Sequence, residues 1–512
     1  MTSIQSPRRS SEAEKASTHY TASVLVPPAL DEAALKLDKH GIPLSPQPSA
    51  DPKDPLNWPR WLKWVVLVQI CALSFTTYLS ASMVSPAFVP LSRYLHRSLS
   101  DTAYTTSIVL ATTGLSPFLW NPLSNIIGRR PIWLLCLLGS AATSAASGAA
   151  HGFAELLALR ALAGVFTGVP QALGPPTVCD LFFAHERGVY MGLYAVASIG
   201  GAHAAPLLGG FVARAAGWRW TFYAPAVAFA ALLLPFALSV PETLFSRSAA
   251  GLDMAAASQS RARSWGDLLL MRRLPRARQK RLQAVDFARA WQMLRYPSVL
   301  LPGLYLAVSL GYGSIIFVLS GPALFSSLYG FAPHQIGLLV GLSLTLGNLA
   351  GELFAGRFCD WVSEVRALRR GGRRRAEDRL VAMLPGAVLT PVGLVVEGVC
   401  VQRRTHWVGP AVGIAVASVG FQVVTTVVFT YTAECYKPQT PHTATILNFL
   451  RDTFGFCVAF YDLQMGEALG FQLAWIILAM VNVAFFLPVL LLFWRGEQWR
   501  ERLGEPGFDG DL

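Results

Sequence analysis

Twelve times between residues 63 and 494 the chain runs for about twenty residues on mostly apolar side chains. The runs lie at about 63–86, 103–124, 131–150, 154–179, 189–212, 221–240, 298–320, 335–357, 381–401, 409–433, 442–464 and 472–494. At about 1.5 Å per residue, such a run makes a helix as long as the hydrocarbon core of a bilayer is thick. A lipid-facing helix satisfies its own backbone donors and acceptors, which an isolated strand does not. The pattern therefore predicts an all-α membrane protein with twelve transmembrane helices. Charge content agrees, at 14% against about 25% for soluble domains. So few charges cannot cover the surface of a soluble enzyme, nor do they describe a disordered chain. Seven cysteines in 512 residues are too sparse for a disulfide scaffold. They lie in or beside the apolar runs and read as small packing residues.

The distribution of charge sets the topology. With the N-terminus in the cytoplasm, 34 of the 42 Lys and Arg fall in cytoplasmic segments (Lys63 and Arg357, the end residues of their runs, counted there), six in outer loops and two, Arg160 and Arg451, deep inside runs. This is the positive-inside pattern with both termini cytoplasmic, and an odd number of spans would spoil it. The net charge of +12 is then explained by topology, and no nucleic-acid partner is expected. Residues 1–62 read as a disordered cytoplasmic tail without a cleavable signal, and 63–244 as a six-helix half. Residues 245–297 form a basic cytoplasmic loop, 298–494 a second six-helix half, and 495–512 a cytoplasmic tail. The run Arg272, Arg273, Arg276, Arg278, Lys280 and Arg281 in the loop reads as a solvated linker beside anionic lipid, with a regulatory or nucleic-acid role as the alternative.

The halves echo one another. Asn121-Pro-Leu-Ser-Asn125-Ile-Ile-Gly128-Arg129-Arg130 follows span 2, and Gly356-Arg357-Phe-Cys-Asp360 follows span 8. Asp180 ends span 4 and Glu434 ends span 10. Span 4 carries Leu156-x-x-x-Arg160-x-x-x-Gly164-x-x-x-Gly168, and span 5 carries Gly201-x-x-x-Ala205-Pro206-x-x-Gly209-Gly210. Asp54-Pro-Leu-Asn-Trp58 precedes span 1, and Pro241-Glu242-Thr243 closes span 6.

Together these segments resemble the major facilitator superfamily from about residue 55 to 495, and within it the fungal members of the twelve-helix drug:proton antiporter branch. The resemblance implies two pseudo-symmetric six-helix halves and secondary transport, with a small-molecule substrate and protons as partners, no cofactor and a monomer in the lipid bilayer. It implies that Gly201, Ala205, Pro206, Gly209 and Gly210 form a sealed contact that limits proton leak and favours export; plain close packing is the alternative. It implies a cytoplasmic gate of Gly128, Arg129, Arg130, Asp180, Glu186 and Arg187 in one half and Gly356, Arg357, Asp360 and Glu434 in the other. The first loop departs from the family pattern, since Asn125 stands where an Asp is usual.

The residues themselves add chemistry. No Gly-Lys dipeptide occurs, so there is no phosphate loop of the Walker type, and transport is expected to draw on a gradient. Arg160 lies about 9 Å into its span, at a cost of at least ~2.5 kcal/mol. It needs a partner or a wet cavity, and the resemblance assigns it to proton coupling. Arg451 and Asp452 lie near the middle of span 11 and point about 100° apart, so each is expected to have a further partner; Asn448 stands one turn before. His203 is either a proton carrier or a satisfied hydrogen-bonding residue. Gln69, Gln171, Asn348 and Gln422, with Tyr78, Phe118, Trp120, Phe317, Phe421 and Tyr431, line a cavity or else face lipid and core. Nine scattered histidines give no catalytic constellation, so no enzyme is expected. The reading is a plasma-membrane exporter of a drug, toxin or secondary metabolite by proton antiport, with proton-coupled import of a nutrient, amine or sugar as the alternative.

Overall fold

The structure is a computed structural model that describes residues 54–245, 284–370, 375–436 and 438–504, with positions 36, 44, 46–49, 51, 506 and 507. The Arg-rich run of the central loop, nearly all of the N-terminal tail and the last residues of the C-terminal tail lie outside the described residues. Twelve helices carry the chain: α1 Arg60–Leu95, α2 Leu99–Ile127, α3 Arg129–Ala149, α4 Phe153–Leu181, α5 Ala184–Ala216 and α6 Trp220–Ser239, then α7 Pro297–Tyr329, α8 Pro333–Arg369, α9 Ala376–Gln402, α10 Val408–Cys435, α11 Thr440–Val458 and α12 Phe471–Leu503. Among the described residues there is no strand.

Ten of these helices are long and apolar enough to cross a membrane. The two that fall short are α2, rich in Thr and Ser, and α11, which carries His442, Asn448, Arg451 and Asp452. They pack against each other, so each hides polar surface from lipid on its partner. The pairings repeat with a shift of six helices. Helices α1 and α5, α2 and α4, and α3 and α6 pack together in the first half; α7 and α11, α8 and α10, and α9 and α12 do so in the second. The two largest contacts between halves, α2 with α11 and α5 with α8, exchange under the same shift. The two halves are thus pseudo-symmetric in packing as well as in sequence.

Several helices depart from the uniform runs. Helix α4 breaks at Gly168, where Pro170 opens the second piece and lacks a backbone donor. A π-helical turn over Gly311–Ile315 interrupts α7, a feature frequent at functional places. Span 11 ends at Val458, and a separate short helix, Asp462–Leu469, follows. Helix α8 outruns its apolar stretch to Arg369, because its last turns are charged and leave the bilayer.

One buried apolar cluster joins the halves on the face opposite Arg129. There Val84, Phe88 and Leu91 of α1 and Ala103 of α2 meet Ile316, Phe317 and Phe325 of α7 and Ile336 of α8. The other two large clusters each lie within one half.

Candidate functional site

Most of the expected polar residues inside the bundle lie in three places. The first is where α11 meets α2 and α4. A Cβ at Gly114 of α2 would stand only 2.9 Å from Asp452 Cβ, so the glycine lets α11 come close. Asp452 is buried, and its Oδ1 accepts from Arg451 Nε at 3.1 Å while its Oδ2 accepts from Gln171 Nε2 of α4 at 3.0 Å. Tyr78 of α1 interacts with the same guanidinium. Three helices of the first half, α1, α2 and α4, therefore converge on an ion pair of the second. The Gln171 Oε1 is buried and accepts no hydrogen bond. Asn448, one turn earlier on α11, is half-buried and stands outside these bonds.

The second place lies between α5 and α8. His203 Nε2 and Asn348 Nδ2 are 2.8 Å apart, and the same amide reaches Leu344 O at 2.8 Å and Ser418 Oγ at 2.5 Å. His203 is buried. It thus bridges the halves as one member of a bonded group. Further along α5, the glycine motif divides between two faces. Gly201, Ala205 and Gly209, four residues apart, face α1; a Cβ at Gly201 or Gly209 would overlap the carbonyl of Phe75 or Met83. Pro206 and Gly210 face α8, where a Cβ at Gly210 would stand 2.5 Å from Pro333 O. Helix α8 answers with Gly337 and Gly341, whose added Cβ atoms would meet Pro206 O and Leu207. The motif therefore seats α5 between its own half and the other.

Arg160 is the third place. Its Nε donates to Thr105 O at 2.9 Å and its Nη1 to Ser80 O at 3.1 Å, while Nη2 donates to Ala81 O. Ser80 and Ala81 end the first helical piece of α1, where carbonyls are left without intrahelical partners and the helix dipole favours a cation. Arg160 is fully buried on carbonyls, over the ring of Phe222 at 5.4 Å, and meets no carboxylate. Its face of α4 is continuous with Gly164 and Gly168, which press on Thr112 and Ser116 of α2.

At the other end of the bundle, Arg129 Nη1 meets Asp180 Oδ2 at 2.9 Å. Glu242 closes this corner, because its carboxylate accepts from Arg129 N at 2.9 Å and Arg130 N at 3.1 Å. That is a carboxylate on the N-terminus of α3, favoured by the dipole and by two unpaired donors. Gly128 has φ +104°, and a Cβ there would stand 2.5 Å from Glu242 Oε2, so glycine is required twice over. Arg130 Nη2 donates to Ala237 O at 2.6 Å. In the second half, Arg379 at the start of α9 holds Asp360 Oδ1 at 2.8 Å and Glu434 Oε1 at 2.7 Å. Arg129 with Asp180 and Arg379 with Glu434 occupy equivalent corners, the start of α3 or α9 against the end of α4 or α10.

Two six-helix halves with matched helix pairings and matched charged corners set a strict pattern, and residues 70–460 match the family described as Major Facilitator Superfamily. This chain belongs to the major facilitator superfamily. The facilitator is 27% identical to the MFS-type transporter penM of Penicillium rubens, over 87% of this chain and 86% of that one. It is 26% identical to the probable efflux pump mfs2 of Aspergillus flavus, over 81% and 97% of the two chains. It is 30% identical to the MFS transporter cpaT of Aspergillus oryzae, over 71% and 73%. Among solved structures it resembles a D-xylose–proton symporter with a TM-score of 0.62 at 14% identity, covering 84% of this chain and 97% of that one. It also resembles, at a TM-score of 0.55 and 11% identity over 87% and 99%, a bacterial homolog of the human lysosomal transporter Spinster, inward-facing and unoccupied. At these identities the two structures speak for the fold. The facilitator is thus a multi-pass membrane transporter.

The other expected residues fall in these places. Arg357 does not pair with Asp360 or Glu434; it is exposed on α8, and Arg379 takes that place because α9 begins earlier than its apolar run. Gly356 is half-buried, and a Cβ there would meet nothing within 4 Å. Arg187 turns back on its own chain, donating to Phe182 O at 3.0 Å and Cys179 O at 2.9 Å, so it caps α4. Glu186 lies near Lys63 of α1. Of the candidate cavity residues, Trp120 is bonded to Val165 O at 2.8 Å, and Phe317, Phe421 and Tyr431 are buried in the core. Gln69 is bonded to Ser239 and Gln422 to Glu352. Phe118 does lie between the halves, stacked on Trp291 at 4.7 Å and edge-on to Phe449 at 5.5 Å. Glu242, Arg379, Gly337 and Gly341 were missed. The Gly-x-x-x-Gly spacing of the last two was the one sequence signal available for them.

Proposed function

We propose that this facilitator exports a small organic compound, a drug, toxin or secondary metabolite, across the plasma membrane in exchange for protons, as a monomer with both termini in the cytoplasm. The observation that carries the reading is the seating of α5. Its small residues bring α1 and α8 into backbone contact on one face of the bundle, and a contact this close leaves no path for water along it. In an exporter such a seal keeps protons from leaking past the substrate step. The relative named a probable efflux pump points the same way. The polar cluster of Tyr78, Gln171, Arg451 and Asp452 lies between the halves, where facilitator-type transporters bind substrate. In this reading it receives the substrate, with Asn448 beside it, while Arg129–Asp180 and Arg379–Asp360–Glu434 hold the cytoplasmic side when it closes. Arg160 and His203 stand outside that cluster and act on the coupling of proton and substrate through helix position.

The test is transport of labelled candidate compounds by the purified chain in proton-tight vesicles, with and without an imposed pH gradient. Movement of compound opposite to the proton gradient is expected. Movement of compound together with protons would replace export by symport.

A further inference from the structure

Two buried acids border the apolar cluster that joins the halves opposite Arg129: Glu397 of α9, beside Trp475, and Asp462. Asp462 opens the short helix after α11, and its side chain is buried. Its Oδ1 accepts from Leu463 N at 2.6 Å. Its Oδ2 is shut from solvent and meets no hydrogen-bond partner. The titratable groups around it are Tyr461 beside it, Tyr104 of α2 with Asp101 near that ring, Tyr312 of α7, Cys457 at the end of α11, and Glu467, exposed on the same short helix. Tyr461 donates to Tyr312 Oη at 3.1 Å, and the Tyr104 ring packs on Phe460 at 5.1 Å, across the boundary between the halves. The stretches of α7 over 311–329 and of α12 over 471–485 carry no acid, base or histidine. Among the described residues Asp462 has no ion-pair partner.

A carboxylate in such surroundings is costly, because its charge has lost water and gained no cation. The protonated acid pays far less. We infer that Asp462 is a proton-binding site that ties closure of this face to proton uptake: closing takes one proton from the adjoining solution onto Oδ2, and opening returns it. The geometry gives this tie a moving part. Asp462 sits between the π-helical turn of α7, which holds Tyr312, and the Tyr104–Phe460 contact that crosses the halves. Separating the halves there breaks that ring contact and admits water to the carboxyl, which then ionises. The sign follows. The closed form binds more protons than the open form, so acid favours closure and alkali favours opening. The closed-to-open ratio changes by up to about tenfold per pH unit for one linked proton. This inference concerns the gate and holds whichever way substrate moves.

The test needs no substrate. In the purified full-length chain, infrared difference spectra between acid and alkaline pH read the C=O stretch of a protonated carboxyl. A band present in the wild type and missing in Asp462→Asn is expected; Glu377, Asp378 and Glu397, buried acids that each have an oxygen without a hydrogen bond, contribute equally to both. Spin labels at Arg97→Cys and Arg403→Cys, one in each half, in a background without the native cysteines, read the opening. The label distance should lengthen as pH rises in the wild type and stay short at every pH in Asp462→Asn. The same band and the same pH-dependent distances in that variant would overturn the inference. If Asp462→Asn fails to assemble, Asp462→Glu decides: a displaced midpoint supports the site, and an unchanged midpoint overturns it.

Discussion

Gln171 of α4 donates to Oδ2 of Asp452 on α11 across 3.0 Å, and this one bond ties a neutral residue of the first half to the buried ion pair of the second. A charge pair that has lost its water depends on such neutral donors for the rest of its bonding. Removing one member strands the others. Asp452→Asn leaves the Arg451 cation without its carboxylate, and a loss of about 3–5 kcal/mol is expected on breaking a buried pair. Gln171→Leu removes only a neutral donor to a carboxylate and should cost about 1.5–3 kcal/mol. Because the two share a bond, their effects should not add. Melting of the single and double variants in detergent checks this, and strict additivity would show that the bond does not form.

Arg160 illustrates how structure redirects a sequence expectation. A deep arginine asks for a partner, and the partners are three carbonyls on α1 and α2. Arg160→Ala should therefore lower the melting temperature and the yield of folded protein. Arg160→Lys should recover little, since one ammonium cannot spread over three acceptors as a planar guanidinium does. A stable Arg160→Ala protein that transports without pH dependence would instead give Arg160 a direct part in coupling.

The charged corner of the second half separates two arginines that the sequence could not. Arg379→Ala frees Asp360 and Glu434 together and should change the rate of transport, with a loss that Arg379→Lys partly restores. Arg357→Ala touches neither acid and should stay within about 0.5 kcal/mol of wild-type stability. Equal transport defects in the two alanine variants would contradict this assignment.

What the sequence made legible was whatever repeats. Apolar runs of similar length gave the twelve helices, and the uneven placement of Lys and Arg gave an expected orientation. Paired motifs showed that the chain is a duplicated unit. What stayed hidden depends on where a helix starts or which face it presents. Arg379 looked like a loop residue because charged residues precede the apolar run of α9, yet the helix begins at Ala376. Glu242 was visible in Pro241-Glu242-Thr243, but nothing in that triplet says it caps a helix more than a hundred residues earlier. Arg451 and Asp452 were legible as buried charges. Their bond to Gln171 was not, since it depends on α4 meeting α11 across the boundary of the halves.

The seating of α5 makes the last prediction specific. Gly209 and Gly210 are adjacent in sequence but face different helices, Met83 of α1 for the first and Pro333 of α8 for the second. Overpacking costs about 1–3 kcal/mol at either place, but the consequences differ. Helix α1 belongs to the same half as α5, so Gly209→Val strains a contact that moves as one body. It should lower stability in every conformation alike. Helix α8 belongs to the other half, so Gly210→Val, like Gly337→Val opposite Pro206, wedges the two halves apart where they close. A strain felt in only one conformer shifts the balance between conformers, by roughly tenfold for each 1.4 kcal/mol. Gly210→Val and Gly337→Val should therefore hold this face open, slow efflux of a preloaded compound and raise proton flux in vesicles without substrate. Gly209→Val should reduce the melting temperature with a smaller change in proton flux. If all three variants lose stability equally and none leaks protons, the motif is packing alone and the α5–α8 contact does not seal the transport path.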